Sequence, residues 1–177
     1  NERRFTPQLM SQTSGAALLS NEGIAVRDFW VIEGRAHGKD RNVGTDTPQE
    51  SREMLSVEAR LAHMDKLGIE TQVLYPTLFL RPIVQEAERE QALCKSYNRW
   101  MADLWRQGKG RLRWVAKPPL RLLEKTGAAV KDELERARDN GACGIFMRGL
   151  EYERALGSPY FYPLWEMSGD LDLPVCI

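Results

Sequence analysis

The chain has 177 residues and carries 25 basic against 25 acidic side chains, a formal net charge of zero. That balance argues against nucleic acid or an acidic membrane as the main partner. No apolar run is long enough to span a bilayer, no signal-peptide pattern is visible at the start, and the length suits a single domain with a buried core.

Residues 1–46 read as an irregular N-terminal region and loop. The first 27 or so are polar and weakly patterned, and only Ala16-Ala17-Leu18-Leu19 suggests a short helix. Phe29-Trp30-Val31-Ile32 then forms an apolar run that ends at Glu33-Gly34, as a hairpin or edge strand does. Gly34 to Asp46 is rich in glycine and charge, and long enough for a functional loop. Thr47-Pro48-Gln49-Glu50 announces a helix, with threonine as N-cap, proline at the first turn and glutamate completing a capping box. Met54, Val57, Leu61 and Met64 continue it at helical spacing, and Gly68 ends it.

From there helix and strand alternate to the end of the chain. Ile69 to Tyr75 reads as a strand. A helix from about Glu86 carries Leu93, Tyr97, Trp100, Met101 and Leu104 on one face and stops at Gly108-Lys109-Gly110. Leu112 to Lys117 is a second strand, and a helix with Val130, Leu134 and Ala137 runs to Asn140-Gly141. Cys143 to Met147 is a third strand. The last helix starts at Ser158-Pro159, carries Phe161, Leu164, Trp165 and Ser168, and precedes a strand from Leu173 to Ile177. Residues 47–177 are therefore βα repeats of a parallel α/β fold, within a single domain spanning 1–177. A closed eight-stranded barrel typically needs roughly 250 residues. The chain is thus expected to be cut off mid-fold.

In parallel α/β folds the reactive groups gather at the carboxyl ends of the strands. Here those ends present Tyr75 and Thr77, Lys117, and Arg148 to a common mouth. Arg148 offers a guanidinium suited to a carboxylate or phosphate; the competing reading pairs it with Glu151 or Glu153. His37 reads as a solvated loop residue and His63 as a half-packed helix residue. No HxH, HExxH, zinc-spaced cysteine pair or nucleophile elbow occurs, so the expected set of metal and catalytic residues in this stretch is empty. Gly141-Ala142-Cys143-Gly144 precedes its strand and cannot serve as a phosphate loop. The basic run Arg106 to Arg113 reads as a solvated helix end, and Trp100 with Trp105 as packing. Cys94, Cys143 and Cys176 lie far apart in sequence, which points to reduced thiols in a cytoplasm.

Several stretches together resemble the amidohydrolase-related family of metal-dependent TIM-barrel hydrolases and decarboxylases, which includes aminocarboxymuconate-semialdehyde decarboxylase. Arg60 to Pro76, containing Met64-Asp65, Gly68-Ile69, Gln72-Val73-Leu74 and Pro76, matches the family's "MD..GI..QVL.P" pattern. Ala92 to Asn98 with Arg111 to Leu120, Glu133 to Gly144, and Ser158 to Glu166 leading to Leu173-Pro174-Val175-Cys176-Ile177 agree in order. The resemblance implies a partial TIM (β/α)8 barrel, about strands 2 to 5 with their helices. It implies an intact enzyme that uses a divalent metal, usually Zn2+, for hydrolysis or decarboxylation of a small carboxylate-bearing substrate. The family's early HxH or HxE motif, the histidine after strand five and the late aspartate are missing from this stretch, so the chain alone is expected to be inactive. Arg35 is the counterpart in order of an arginine that helps hold a substrate carboxylate. Arg35, Tyr75, Thr77 and Arg148 are then the expected substrate-binding residues. Open sheet edges favour a homo-oligomer. The alternative is a non-catalytic α/β scaffold or binding module that keeps the strand-end pocket.

Overall fold

A computed structural model describes residues 2–11, 18–19, 25–26, 28–39 and 47–177. Its first part holds strands β1 (Gln8–Ser11), β2 (Leu18–Leu19), β3 (Ala25–Val26), β4 (Asp28–Ile32) and β5 (Arg35–Gly38). Strands β1, β4 and β5 make an antiparallel sheet in that order, while β2 pairs with β3. The expected helix at Ala16 to Leu19 is not formed where it is described, since Leu18–Leu19 is a strand; Ala16 and Ala17 lie outside the described residues. The apolar run at Phe29 does enter a hairpin. Glu33 and Gly34 take φ of 53° and 70°, the left-handed pair that a tight two-residue hairpin turn requires. That turn makes Arg35–Gly38 a strand, where the sequence suggested a loop from Gly34. Of the remainder of that loop, 40–46 lies outside the described residues.

The helix expected from Thr47 to Gly68 is two helices, α1 (Gln49–Arg52) and α2 (Val57–Lys66). Pro48, rather than Thr47, stands at the start of α1, and no side chain caps it. Met54 takes a φ of 53°, which a right-handed helix cannot contain. Ser56 restarts the helix by accepting a hydrogen bond from the Ala59 N–H at 3.1 Å.

The remainder alternates as the sequence predicts: β6 (Gln72–Leu74), α3 (Ala87–Gln107), β7 (Leu112–Ala116), α4 (Leu123–Asp139), β8 (Ala142–Phe146), β9 (Leu150–Glu151), β10 (Arg154–Ala155), α5 (Tyr162–Asp170) and β11 (Val175–Cys176). Strands β6, β7, β8 and β11 form a parallel sheet in sequence order, the topology of a partial TIM barrel. Strand alternation assigns the faces. Leu112, Trp114, Ala116, Ile145 and Met147 pack into a large core with Leu61, Met64, Val130, Leu134, Phe161 and Leu164 of the helical layer. Val115 and Phe146, at the intervening positions, join a second core with Phe79, Ile83, Val84, Cys94 and Ile32. Trp100, expected on the packed face of α3, is 47% exposed and lines a groove, whereas Leu93, Met101 and Leu104 are buried.

The α4–β8 turn shows how tightly the helical layer is closed. Trp114 donates from its indole N–H to Asn140 O at 3.1 Å, and Trp105 covers the neighbouring glycine. Gly141 has a φ of 86°, and a Cβ there would lie 2.2 Å from the Trp105 ring. Gly169, inside α5, has open space around it. Gly141→Ala is therefore expected to lower unfolding stability by about 2 kcal/mol or more, from strained backbone plus overpacking. Gly169→Ala is expected to raise it by about 0.5 kcal/mol through the loss of unfolded-state freedom. Urea unfolding of both variants checks the pair; equal stabilities would mean that Trp105 does not seal the turn.

Candidate functional site

Lys117 is the residue immediately after β7, and Arg148 comes two residues after β8. Parallel strands put both at the same end of the sheet. The short hairpin of β9 and β10 then folds back, with Tyr152 and Glu153 at φ of 53° and 62°, and brings Glu151 between the two cations. Glu151 Oε1 accepts from Lys117 Nζ at 3.4 Å and from the Arg148 backbone N–H at 3.1 Å, and Oε2 accepts from the Arg148 guanidinium. The Lys117 and Glu151 side chains are 3% and 0% exposed. Lys117 Nζ also lies 5.6 Å from the centre of the Phe146 ring. Burial raises the Glu151 carboxyl, but Lys117 and the Arg148 hydrogen bonds outweigh it and hold the group below the usual glutamate range.

A second buried carboxylate stands beside this pair. Glu90, in the first turn of α3, accepts from the Arg121 backbone N–H at 2.8 Å and from the Tyr152 hydroxyl at 2.5 Å. Burial pushes its carboxyl upward, against the opposing pull of Lys117 and the Tyr152 hydrogen bond. Arg121 lies 4.0 Å over the Tyr152 ring and donates to Val84 O at 3.2 Å. Its contact secures the β6–α3 connection, which is also held by Glu33, whose carboxylate accepts from the N–H groups of Gln85 and Glu86 at 2.8 and 3.0 Å. Phe79, Ile83 and Val84 of that connection line a cavity of about 10 Å³ together with Glu90, Lys117 and Arg148.

Tyr75 and Thr77 face elsewhere. They line a groove of about 710 Å³ beside β6, together with Trp30, Arg60, Tyr97 and Trp100. Phe146 connects the two regions: the Tyr75 ring meets it in a T-shaped contact at 6.2 Å, and Lys117 Nζ lies 5.6 Å from its centre. Burial and the neighbouring Cys176 thiol raise the Tyr75 hydroxyl pKa. Arg35, the first residue of β5, is exposed and lines neither cavity. Of the residues expected from sequence, Lys117 and Arg148 are thus brought together, Tyr75 and Thr77 form a second pair, and Arg35 stands apart. The pairing of Arg148 with Glu151 is the competing reading of that arginine, and the structure shows it.

Among the described residues no group of three or more His, Cys, Asp or Glu side chains is placed to hold a metal ion. His63 Nδ1 lies 3.4 Å from Ser51 Oγ, and His37 sits in β5 opposite Trp30. All three cysteines are free thiols. No helix is long and apolar enough among the described residues to cross a membrane.

Sequence reasoning missed Glu90, Asn98, Glu133 and Tyr152. The Asn98 carboxamide accepts from Lys117 N at 3.0 Å and donates to Lys117 O at 3.1 Å and to Glu133 Oε1 at 2.9 Å. The signal was present. Asn98 falls between Cys94 and Met101 in the apolar stripe of α3, and Glu133 occupies the same stripe as Val130, Leu134 and Ala137 in α4. Polar residues at core positions of a helix carry a specific partner.

The fold agrees with what comparison with known proteins finds. A family model described as Amidohydrolase matches residues 20–177. No curated protein matches the chain. Among solved structures, 2,6-dihydroxybenzoate decarboxylase from Rhizobium is 23% identical, with a TM-score of 0.55 over 66% of this chain and 37% of that one. The 5-carboxyvanillate decarboxylase from Sphingomonas paucimobilis is 20% identical, with a TM-score of 0.55 over 66% and 33%. The apo form of Metarhizium anisopliae IDCase is 12% identical, with a TM-score of 0.63 over 98% of this chain and 46% of that one. The chain thus spans less than half the length of each of these structures. With the parallel half-barrel and the match over most of its length, this chain belongs to the amidohydrolase family.

Proposed function

We propose that the chain forms part of a metal-dependent hydrolase or carboxy-lyase acting on a small carboxylate-bearing substrate. The observation that carries this reading is the carboxylate already held at the strand ends. Glu151 receives hydrogen bonds from both Lys117 and Arg148, and that supports the reading of a strand end whose cations can receive a carboxylate once Glu151 yields its place. Arg148 is the proposed substrate-carboxylate residue, with Tyr75 and Thr77 contacting the remainder of the substrate from the adjoining groove. Arg35 acts only if its hairpin approaches that groove. Among the described residues no three His, Cys, Asp or Glu side chains are grouped to hold a metal ion, and the divalent metal of this proposal, such as Zn2+, takes its ligands from the intact enzyme. The free thiols favour a reducing compartment such as the cytoplasm, and the open edge of β6 favours a homo-oligomer.

The test is turnover by the full-length protein, loaded with Zn2+ or Mn2+, on a panel of hydroxybenzoates and other small carboxylic acids. Release of carbon dioxide, or of a hydrolysed product, is expected. Arg148→Gln is expected to raise KM roughly 10- to 100-fold, the loss of a charge-assisted hydrogen bond worth ~1.5–3 kcal/mol. Ligand binding without turnover would leave the half-barrel a binding module, and an unchanged KM would remove Arg148 from the substrate site.

The charges also make a stability prediction. The folded pKa of Glu151 is lowered, so its stabilisation is fully present above the ordinary glutamate value and is lost as pH falls through the depressed one. Glu90 has the opposite sign: its folded pKa is raised, and its contribution is lost as pH rises through that value. Glu151→Gln leaves two buried cations without their counter-charge and is expected to cost about 3–5 kcal/mol near neutral pH. The penalty should shrink in acid, where the wild-type carboxylate is protonated as well. Urea unfolding of the wild type and Glu151→Gln across a pH series reads the Glu151 effect, and a pH-independent difference would contradict it.

A further inference from the structure

Glu151 occupies the place that the proposed substrate carboxylate needs, and it fits that place imperfectly. Its Oε1 reaches Lys117 Nζ only at 3.4 Å, and Arg148 Nε is buried without a hydrogen-bond partner. An ammonium offers three N–H donors and a guanidinium five, so both cations keep donors that this carboxylate does not satisfy. The adjoining cavity of about 10 Å³ cannot admit a second carboxylate beside Glu151. A ligand's carboxylate therefore reaches Lys117 and Arg148 only if Glu151 leaves.

The segment that carries Glu151 is suited to leaving. Strands β9 and β10 share two bridge pairs. Leu150, Glu153, Arg154 and Ala155 are exposed, so the hairpin turns only Glu151 and Tyr152 inward. Its turn holds Tyr152 and Glu153, neither of them glycine, at φ of 53° and 62°. That strained pair stays closed because the inward contacts hold it. Tyr152 supplies the second of these contacts, donating its hydroxyl to Glu90 at 2.5 Å. Exchange of one carboxylate for another also leaves neither buried cation without a counter-charge, which is what would otherwise oppose opening.

We propose that Glu151 is an internal surrogate for the substrate carboxylate, and that the β9–β10 hairpin is a latch which a carboxylate ligand opens by replacing Glu151 on Lys117 and Arg148. The closed hairpin is then self-inhibiting, since every ligand must compete with a carboxylate tethered beside the same cations. This inference rests on the carboxylate-binding reading above and adds regulation to it.

The test titrates the full-length protein with sodium benzoate and, as the uncharged control, benzamide. A latch open in about 1–10% of molecules weakens apparent binding by the same fraction, so Glu151→Gln is expected to bind benzoate roughly 10- to 100-fold tighter than the wild type. Benzamide affinity should not change. Glu153→Gly relieves the turn and favours the closed hairpin, and it is expected to weaken benzoate binding about 3- to 10-fold. If Glu151→Gln does not fold, Tyr152→Phe, which removes the tether to Glu90, takes its place and should also tighten binding. Hydrogen exchange reads the movement itself: benzoate is expected to speed amide exchange at residues 150–155 of the wild type. Equal benzoate affinity in the wild type and these variants, or exchange that benzoate leaves unchanged, overturns the latch and leaves the carboxylate reading standing. No benzoate binding to any of them removes the seat, and the latch with it. The expected affinities and exchange in a protein without turnover support the latch and count only against the proposed reaction.

Discussion

The Asn98 carboxamide grips the backbone of Lys117 from both sides, and the strand-end site depends on that grip. Beyond the last ladder pair of β7 the chain leaves the sheet, and its N–H and C=O need partners in a place closed to water. Asn98 supplies both. An unmet buried donor or acceptor costs about 1–3 kcal/mol, so loss of this side chain brings that penalty to the residue that follows β7. Glu133, fully buried in α4, fixes the Asn98 amide, and the partly exposed Arg136 balances its charge at 2.6 Å. An ion pair at the helical surface therefore leads inward, through two buried side chains, to the backbone that aims Lys117.

That arrangement explains why the polar cluster is tolerated. Charges removed from water destabilise unless each is paired and hydrogen-bonded. Glu151 pairs two cations at once, Glu90 takes a backbone N–H and a phenol, and the aromatic faces of Phe146 and Tyr152 lie against Lys117 and Arg121. The two cores divide the work. The large one, between sheet and helices, holds the strands in register; the smaller one, capped by Phe79, Ile83 and Val84, keeps solvent from the charges. Relatives with 12–23% identity share the half-barrel because alternation of apolar positions, rather than particular residues, specifies it.

How much of this was legible in the chain follows from the range of each interaction. The alternation of α3, β7, α4, β8, α5 and β11 was readable because each helix has a stripe of apolar residues and most end at a glycine or asparagine. The break at Met54 was not, since Met54, Val57, Leu61 and Met64 preserve helical spacing across it, and only the Ser56 cap marks the restart. The strand at Arg35–Gly38 was hidden for a related reason: its partner, β4, supplies the apolar residues, and its own sequence resembles a loop. Arg148 was found by its place after a strand, and its Glu151 partner by proximity in sequence. Glu90 and Asn98 meet the site through contacts 19 to 62 residues away, which no local pattern displays.

The smaller core also contains Cys94, a thiol with no exposed surface. Burial, and then the neighbouring Glu90 charge, push its pKa well above the usual thiol range, so both steric access and thiolate formation are suppressed in the folded chain. Reaction with an alkylating reagent must wait until the roof of Phe79, Ile83 and Val84 separates from α3. Cys143 and Cys176 are only partly covered and are expected to be labelled first. The chain thus contains its own clock for local opening: the lag between labelling of the two sheet thiols and labelling of the helix thiol measures how often the strand-end site is uncovered.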